Sequence, residues 1–543
     1  MNTDLTRTLT FVAVALMLTG ASFVIHRERP VKDREFADQG QRFFPDFNDP
    51  LACTDLEVIT FDPSTASSTR FEVMLKNGKW VIPSHYDYPA DARDRLSKTA
   101  GAVMDLTRDT IRSDKVELQQ SMGVIDPLDT KTATLEGRGQ RVTLRDSSGK
   151  ILADFIIGKE IPGTERSKDG KGKQRYVRVP GQKRTYGVAV NAELSTKFAD
   201  WIETNLLKVD TGKIRKVVFD NYKMREARSA DGRPLVVPER GELITATRKE
   251  SFGPWAVTIQ KADPRTHQWK TTPIPANQEV NEDRLRSLVE ALGDLKIVGV
   301  RPKPPGLTDP NDPKLELTVP IVLSLQNRGF YLSPGHGLFS DQGDVTVTTD
   351  EGVSYTLRYG GPVFATGDEL SAGTPDAAEK TDDGGKKTAE RKSKGAQENR
   401  YLLVTVSFDP DAIAKPAEAG SAEKAKSDRS KELPDNVFAH ETETAEQKKA
   451  AEEKAKRDRE DYDRKLADGK KKVKELADRF GPWYYVTPGS SFNQINLDIN
   501  AVLKPKTPPG AAPPAGGGMP AGFPGGLPGG LPGGLPGGLR PGR

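Results

Sequence analysis

Residues 80–112 read WVIPSHYDYPADARDRLSKTAGAVMDLTRDTIR, and residues 269–301 read WKTTPIPANQEVNEDRLRSLVEALGDLKIVGVR. Laid side by side without a gap, Trp80 meets Trp269 and the tripeptide Asp94-Arg95-Leu96 meets Asp283-Arg284-Leu285. Further along, Ala102, Asp105, Leu106 and Arg112 meet Ala291, Asp294, Leu295 and Arg301. The chain holds only five tryptophans, so one that recurs in step with a shared tripeptide carries more weight than common residues would. The separation is far longer than the roughly 20–50 residues of a solenoid repeat. The pattern therefore predicts two tandem copies of one α+β domain.

Working outward, the first copy opens on the alternating run Leu56–Phe61. Phe71–Leu75 and Lys79–Ile82 follow, joined across Asn77-Gly78, a pair that accepts positive φ at both turn positions and marks a hairpin. From Asp91 to Leu106, Leu96, Ala100, Val103 and Leu106 recur at helical spacing, with Pro89 just ahead. Strands are expected at Arg141–Leu144, Ile151–Ile157, Tyr176–Val179 and Thr185–Val188. The second copy is read in the same order: Lys216–Asp220, then a hairpin of Trp255–Gln260 with Gln268–Lys270. A helix at Asn281–Leu295 and strands at Ser354–Tyr359, Arg400–Val404 and Trp483–Val486 complete it. Each module, 56–210 and 216–504, is thus expected to be an antiparallel sheet with one main helix.

Two insertions lengthen the second copy. Residues 367–399 are charged and poor in apolar residues, the signature of a disordered loop. Residues 409–479 end in a charged helical stretch from Glu443, on which Tyr462, Leu466, Val473, Leu476 and Phe480 form a sparse stripe. That stretch reads as a protruding, separable arm, a solvated helix or else a partner-binding helix or short coiled coil. Residues 505–543 carry Pro-Gly-Gly-Leu units without the strict period of collagen and read as a disordered tail.

Composition agrees with folded modules diluted by linkers. Apolar residues make up 35% of 543 without the 51 glycines, against about 45–50% with glycine counted in ordinary globular domains. Bases number 81 and acids 77, a balance that supplies no broad basic field for nucleic acid. At the amino terminus, Thr8–Ile25 is uncharged and just long enough to span a bilayer. We read residues 1–34 as a retained membrane anchor, although Gly20-Ala21-Ser22 would serve as a cleavage site. Arg27, Arg29, Lys32 and Arg34 outnumber the lone Arg7, which by charge alone keeps the following domain inside.

Chemistry is harder to find. His26, His85, His267, His336 and His440 stand at no ligand spacing, and they read as exposed or loop histidines. Cys53 is the single cysteine, which excludes intramolecular disulfides and cysteine-based metal sites. Gly170-Lys171-Gly172-Lys173 lacks the rest of a P-loop, and Gly335-His336-Gly337 reads as a turn. The repeated Asp94/Arg95 and Asp283/Arg284 are the best polar candidates. Acids in a first turn complement the helix dipole, so they too read as structural, as do Asp105 and Asp294. Trp80 and Trp269 read as core anchors. No catalytic, cofactor or metal residue is assigned.

Taken together, Lys76-Asn77-Gly78-Lys79-Trp80, Pro89-Ala90-Asp91, Met122–Pro127, Ile156-Ile157-Gly158, Arg175-Tyr176-Val177 and Tyr186-Gly187-Val188 resemble a bacterial family called domain of unknown function 4340. The resemblance is close over Leu56–Leu207 and looser over Lys216–Leu503. It implies a single-pass envelope protein whose bulk lies outside the cytoplasmic membrane, some members being companions of gliding-type ABC transport systems. It transfers no catalytic residues. The expectation is a non-catalytic scaffold or accessory subunit with protein partners and no cofactor. An extracytoplasmic hydrolase or carbohydrate-binding protein is the alternative.

Overall fold

A computed structural model describes residues 38–164, 173–192, 194–228, 232, 234–263, 265–266, 268–305, 307, 316, 318–333, 337–365, 370–372, 398–416 and 445–506. It also describes Val12, Ala13 and Ala15, which are helical. The rest of the expected anchor, most of 367–399, residues 417–444 and the tail from 507 lie outside the described residues. Among those described, no helix is long and apolar enough to cross a membrane.

Two antiparallel sheets of nine strands dominate. The first is built from β1 (Asp55–Asp62), β2 (Ser67–Lys76), β3 (Lys79–Ile82), β4 (Tyr88–Pro89), β5 (Thr110–Ser113), β6 (Gln140–Arg145), β7 (Ile151–Glu160), β8 (Gln174–Arg178) and β9 (Thr185–Ala189), in the order 4-3-2-1-6-7-8-9-5. The second uses β10 (Ile214–Arg228), β11 (Pro234–Thr247), β12 (Ala256–Ala262), β13 (Trp269–Thr272), β15 (Gly299–Pro302), β18 (Asp344–Thr349), β19 (Val353–Val363), β20 (Asn399–Phe408) and β21 (Trp483–Pro488). Its order, 13-12-11-10-18-19-20-21-15, is the same arrangement. The strand β14 (Gln278–Val280) pairs with β22 (Leu503–Pro505), and β16 (Phe330–Ser333) with β17 (Gly337–Ser340).

The likeness extends to register. In the first sheet the buried row Val73, Leu56, Leu144, Ala153 runs across four strands, with Phe71, Val58, Val142, Phe155 beside it. In the second the rows are Ala246, Val217, Val347, Tyr355 and Ile244, Phe219, Val345, Leu357. Strand residues alternate between faces, so these rows form one apolar side of each sheet. On that side lie the helices α1 (Arg93–Met104) and α2 (Glu282–Gly293). Leu96, Thr99, Ala100 and Val103 are buried on the first, and Leu285, Leu288, Val289 and Leu292 on the second, position for position in the alignment.

Register also corrects the tryptophan pairing. Met74 opposes Val81 in the first sheet as Thr247 opposes Ala256 in the second. The residue before each partner is Trp80 and Trp255. Trp269 lies one strand further out, on β13. The cause is β11, which the sequence reading missed. Pro238 and the charges around Gly241 break its alternation. Yet Pro238 pairs only with Met224, beyond the reach of β12, where a proline is tolerated. Gly241 sits at a register shift, where a Cβ would meet the Asn221 carbonyl at 2.0 Å.

The expectation of one main helix holds for the first module alone. The second adds α3 (Val319–Gln326) and α4 (Ala445–Phe480). Ile321 and Leu325 of α3 join Phe330 and Leu338 in a small cluster on the other face of the sheet, against Leu403 and Tyr484. Nor is α4 a free arm along its whole length. Val473 and Leu476 pack on the main core and Phe480 is buried in it. The buried Gly469 completes the 3–4 spacing of Tyr462, Leu466, Val473, Leu476 and Phe480. A Cβ there would meet the Glu351 carbonyl at 2.5 Å and Phe408 Cε2 at 2.6 Å, so only glycine lets the helix come this close.

A single main core cluster contains residues of both modules. At the junction Leu206 and Ile297 exchange backbone hydrogen bonds with Leu295 and Thr204, both at 2.8 Å. Tyr88 of the first module packs edge-on against Trp483 of the second, with ring centroids 5.0 Å apart.

Candidate functional site

The repeated Asp-Arg pairs do not converge. Arg95 reaches back to the Asp200 carbonyl at 2.9 Å and lies 5.2 Å above Trp201, which pins α1 to the chain that leaves the first sheet. Arg284 donates to the Asn493 carbonyl at 2.6 Å. Asp283 pairs with Arg286 at 3.8 Å, Asp105 with Arg42 at 3.5 Å and Asp294 with Lys296 at 2.6 Å, all on exposed surface. Each stays within its own module and serves local structure.

Of the five histidines, His26, His267, His336 and His440 lie outside the described residues. His85 departs from the expected exposed or loop setting and is buried at the junction. Its ring stacks on Phe198 with centroids 4.4 Å apart. Nδ1 faces Ser84 Oγ at 3.0 Å and Nε2 faces Ser371 Oγ of the second module at 2.9 Å. Arg301 donates to the Ser371 carbonyl at 3.0 Å. Burial first, and Arg301 second, push the imidazole down to about 4, so it stays neutral at ordinary pH. Cys53 is also buried, its thiol pushed up to about 12, mainly by burial. Neither group is placed to meet a substrate.

A second set of perturbed groups lies in the second sheet. Asp344 takes a 2.9 Å ion pair from Arg358 and a 2.5 Å hydrogen bond from the Tyr222 hydroxyl. Asp220, facing it across the β10–β18 ladder, is pushed up to about 6 by burial and then by the Asp344 charge. Neither carboxylate lines the cleft described next.

A cavity of about 860 Å³ lies where α4 crosses one end of the second sheet. Lys213, Arg215 and Lys216 reach it from the start of β10, and Arg248 and Lys249 from the end of β11. Asp350 and Glu351 come from the β18–β19 turn, and Asp409 and Asp411 from beyond β20. Lys465, Asp468, Gly469 and Lys472 of α4 close it. Glu351 accepts an ion pair from Lys213 and another from Lys472 at 2.6 Å, tying helix to sheet. Arg215 is held by Asp350 at 2.6 Å. Arg248 donates to the Ile214 carbonyl at 2.8 Å and lies 4.8 Å above Trp255. Among the described residues, Lys216, Lys249 and Lys465 have no carboxylate within ion-pair distance. No sequence motif marks this site, because it is assembled from strand ends and an insertion far apart in the chain.

Residues 80–316 match the model of a family described as Domain of unknown function (DUF4340). The match begins in β3, crosses the junction and ends beyond β15, so it takes in α1 and α2 alike. No curated protein and no solved structure matches the chain.

Proposed function

We propose that this chain is a non-catalytic, membrane-anchored envelope protein that serves as a scaffold or accessory subunit, holding a protein partner between α4 and the second sheet. The cleft carries this reading. Its volume is that of a ligand site, and its walls are charged side chains fixed by ion pairs across helix and sheet. The first module, with the same strand order, spans the corresponding β8–β9 connection in a few residues and has no such helix. A charged cleft closed by a helix that the first module lacks fits binding better than chemistry.

The shared strand order and the matched faces of α1 and α2 support descent of both modules from one duplicated domain. Anchoring through Thr8–Ile25, placement outside the cytoplasmic membrane and partnership with a gliding-type ABC transport system follow from the family resemblance and belong to the same proposal. Crosslinking in intact membranes, followed by purification and mass spectrometry, tests it. Transport or envelope proteins of the cytoplasmic membrane should be enriched over an unrelated single-pass control. Equal recovery from both would overturn the scaffold reading. Protection of residues beyond Arg34 from protease in spheroplasts would overturn the placement.

A further inference from the structure

Two turns at the same place in the two sheets differ in a way that bears on the cleft. Between β2 and β3 the chain turns on Asn77 and Gly78, at φ 52° and 75°, residues that adopt this conformation readily. Between β11 and β12 the turn is longer and puts Phe252 at φ 61°. For a bulky side chain that conformation is an outlier, and such strain gathers at functional sites. The ring gains no core contact in return, being 80% exposed. It lies outside the cleft's lining but beside it. A Cβ on Gly212, next to the lining residue Lys213, would come within 3.7 Å of its Cζ, and Arg248 lies 5.8 Å from the ring centroid.

We propose that the cleft is a receptor for an extended acidic peptide segment of a partner protein, with Lys216, Lys249 and Lys465 meeting its carboxylates and Phe252 anchoring an apolar side chain. This rests on the scaffold reading and names the partner's chemistry. Both arginines of the lining are already engaged, so the available cations are lysines, mobile point charges that suit irregularly spaced carboxylates more than a fixed bidentate group. The volume exceeds what a single small anion fills. Asp409 and Asp468 in the same walls oppose a dense polyanion, whereas a peptide meets them with backbone N–H donors. An exposed aromatic beside a charged surface is also the usual anchor of a protein interface.

Fluorescence anisotropy on the full chain tests this. The probe is a labelled peptide rich in Asp and Glu with one central Phe, a Lys-rich peptide is the control, and inorganic polyphosphate is the competing anion. The acidic peptide should bind with a micromolar Kd that weakens as salt rises. Lys216→Glu, Lys249→Glu and Lys465→Glu should each weaken it about three- to tenfold, while Lys131→Glu, on the exposed surface of the first module, leaves it unchanged. Phe252→Asn relieves the backbone, so it should raise the thermal transition while weakening binding; a merely structural role would change stability alone. Indifference to the reversals, absence of acidic-peptide binding, or tighter binding of polyphosphate with the same sensitivity would each overturn the assignment. Membrane partners captured without peptide binding would overturn this inference alone. Peptide binding without captured partners would overturn the scaffold reading alone.

Discussion

The first module is the plain form of the fold and the second its elaborated form. In the first, β1 and β2 end together at a short turn after Asp62, whereas β10 and β11 stay paired to each other beyond the residues that pair with β18 and β12. In the first, β8 reaches β9 directly, whereas in the second residues 409–482 separate β20 from β21 and include α4. The rows of buried side chains scarcely change. What differs sits at strand ends, where an insertion costs little because loop-closure entropy rises slowly with length. New surface is built there without altering the part that folds.

The most severe test of this comparison is the tryptophan register. With Trp255 in the place of Trp80, Trp255→Ala removes a core side chain and should cost about 3–5 kcal/mol. Trp269→Ala, on an edge strand, should cost about 1 kcal/mol or less. Denaturant unfolding of both variants decides it, and equal losses would break the equivalence.

The junction offers a second. His85 is held near 4 in the folded chain against an ordinary 6.5. The unfolded chain therefore binds more protons between these values. The stability His85 contributes is complete above about pH 6.5 and is lost as pH falls toward 4, about 3 kcal/mol in all. His85→Phe should flatten that limb. Asp220, raised to about 6, tilts the other way over the same range, so the measurement is the difference between wild type and variant. An unchanged limb in His85→Phe would show that the histidine is not what couples the modules to pH.

The third concerns the helix that only the second module has. By intrinsic propensity, Gly469→Ala in a helix interior gains about 1 kcal/mol. By the contacts its Cβ would make, it loses about 1–3 kcal/mol to overpacking. We expect the loss to win, with faster hydrogen exchange over residues 463–480. A net gain in stability with unchanged exchange would mean that the close approach to Glu351 is not needed for docking.

Much of this architecture was legible in the sequence where one face of an element is buried. Lys79–Ile82 matches β3 to the residue, and Leu96, Ala100 and Val103 of the expected stripe are buried on α1, though Thr99 beside them is not in it, because burial imposes a period on apolar residues alone. The strand β11 escaped because Pro238 and Gly241 meet needs created by neighbouring strands, at an unpaired edge and a register shift. Its loss moved the tryptophan match one strand outward. Gly469 was invisible as a member of the α4 stripe, since an apolar pattern cannot register a position chosen for having no side chain. His85 carries nothing local to show that Phe198 would cover it or that Ser371 would face it. The cleft was unreadable for the same reason, its cations being ordinary lysines until the fold gathers them.

The continuity of the core across the junction has a consequence for how the chain unfolds. Two lookalike sheets with separate interiors would behave as independent cooperative units, each able to open while the other persisted. Here the segment that leaves the first sheet is paired with the one entering β15, and Tyr88 of the first sheet packs on Trp483 of the second. Opening either half exposes part of the other's interior, so the two halves are expected to melt in one transition. The boundary that shows so clearly in the sequence is, energetically, a seam rather than a hinge.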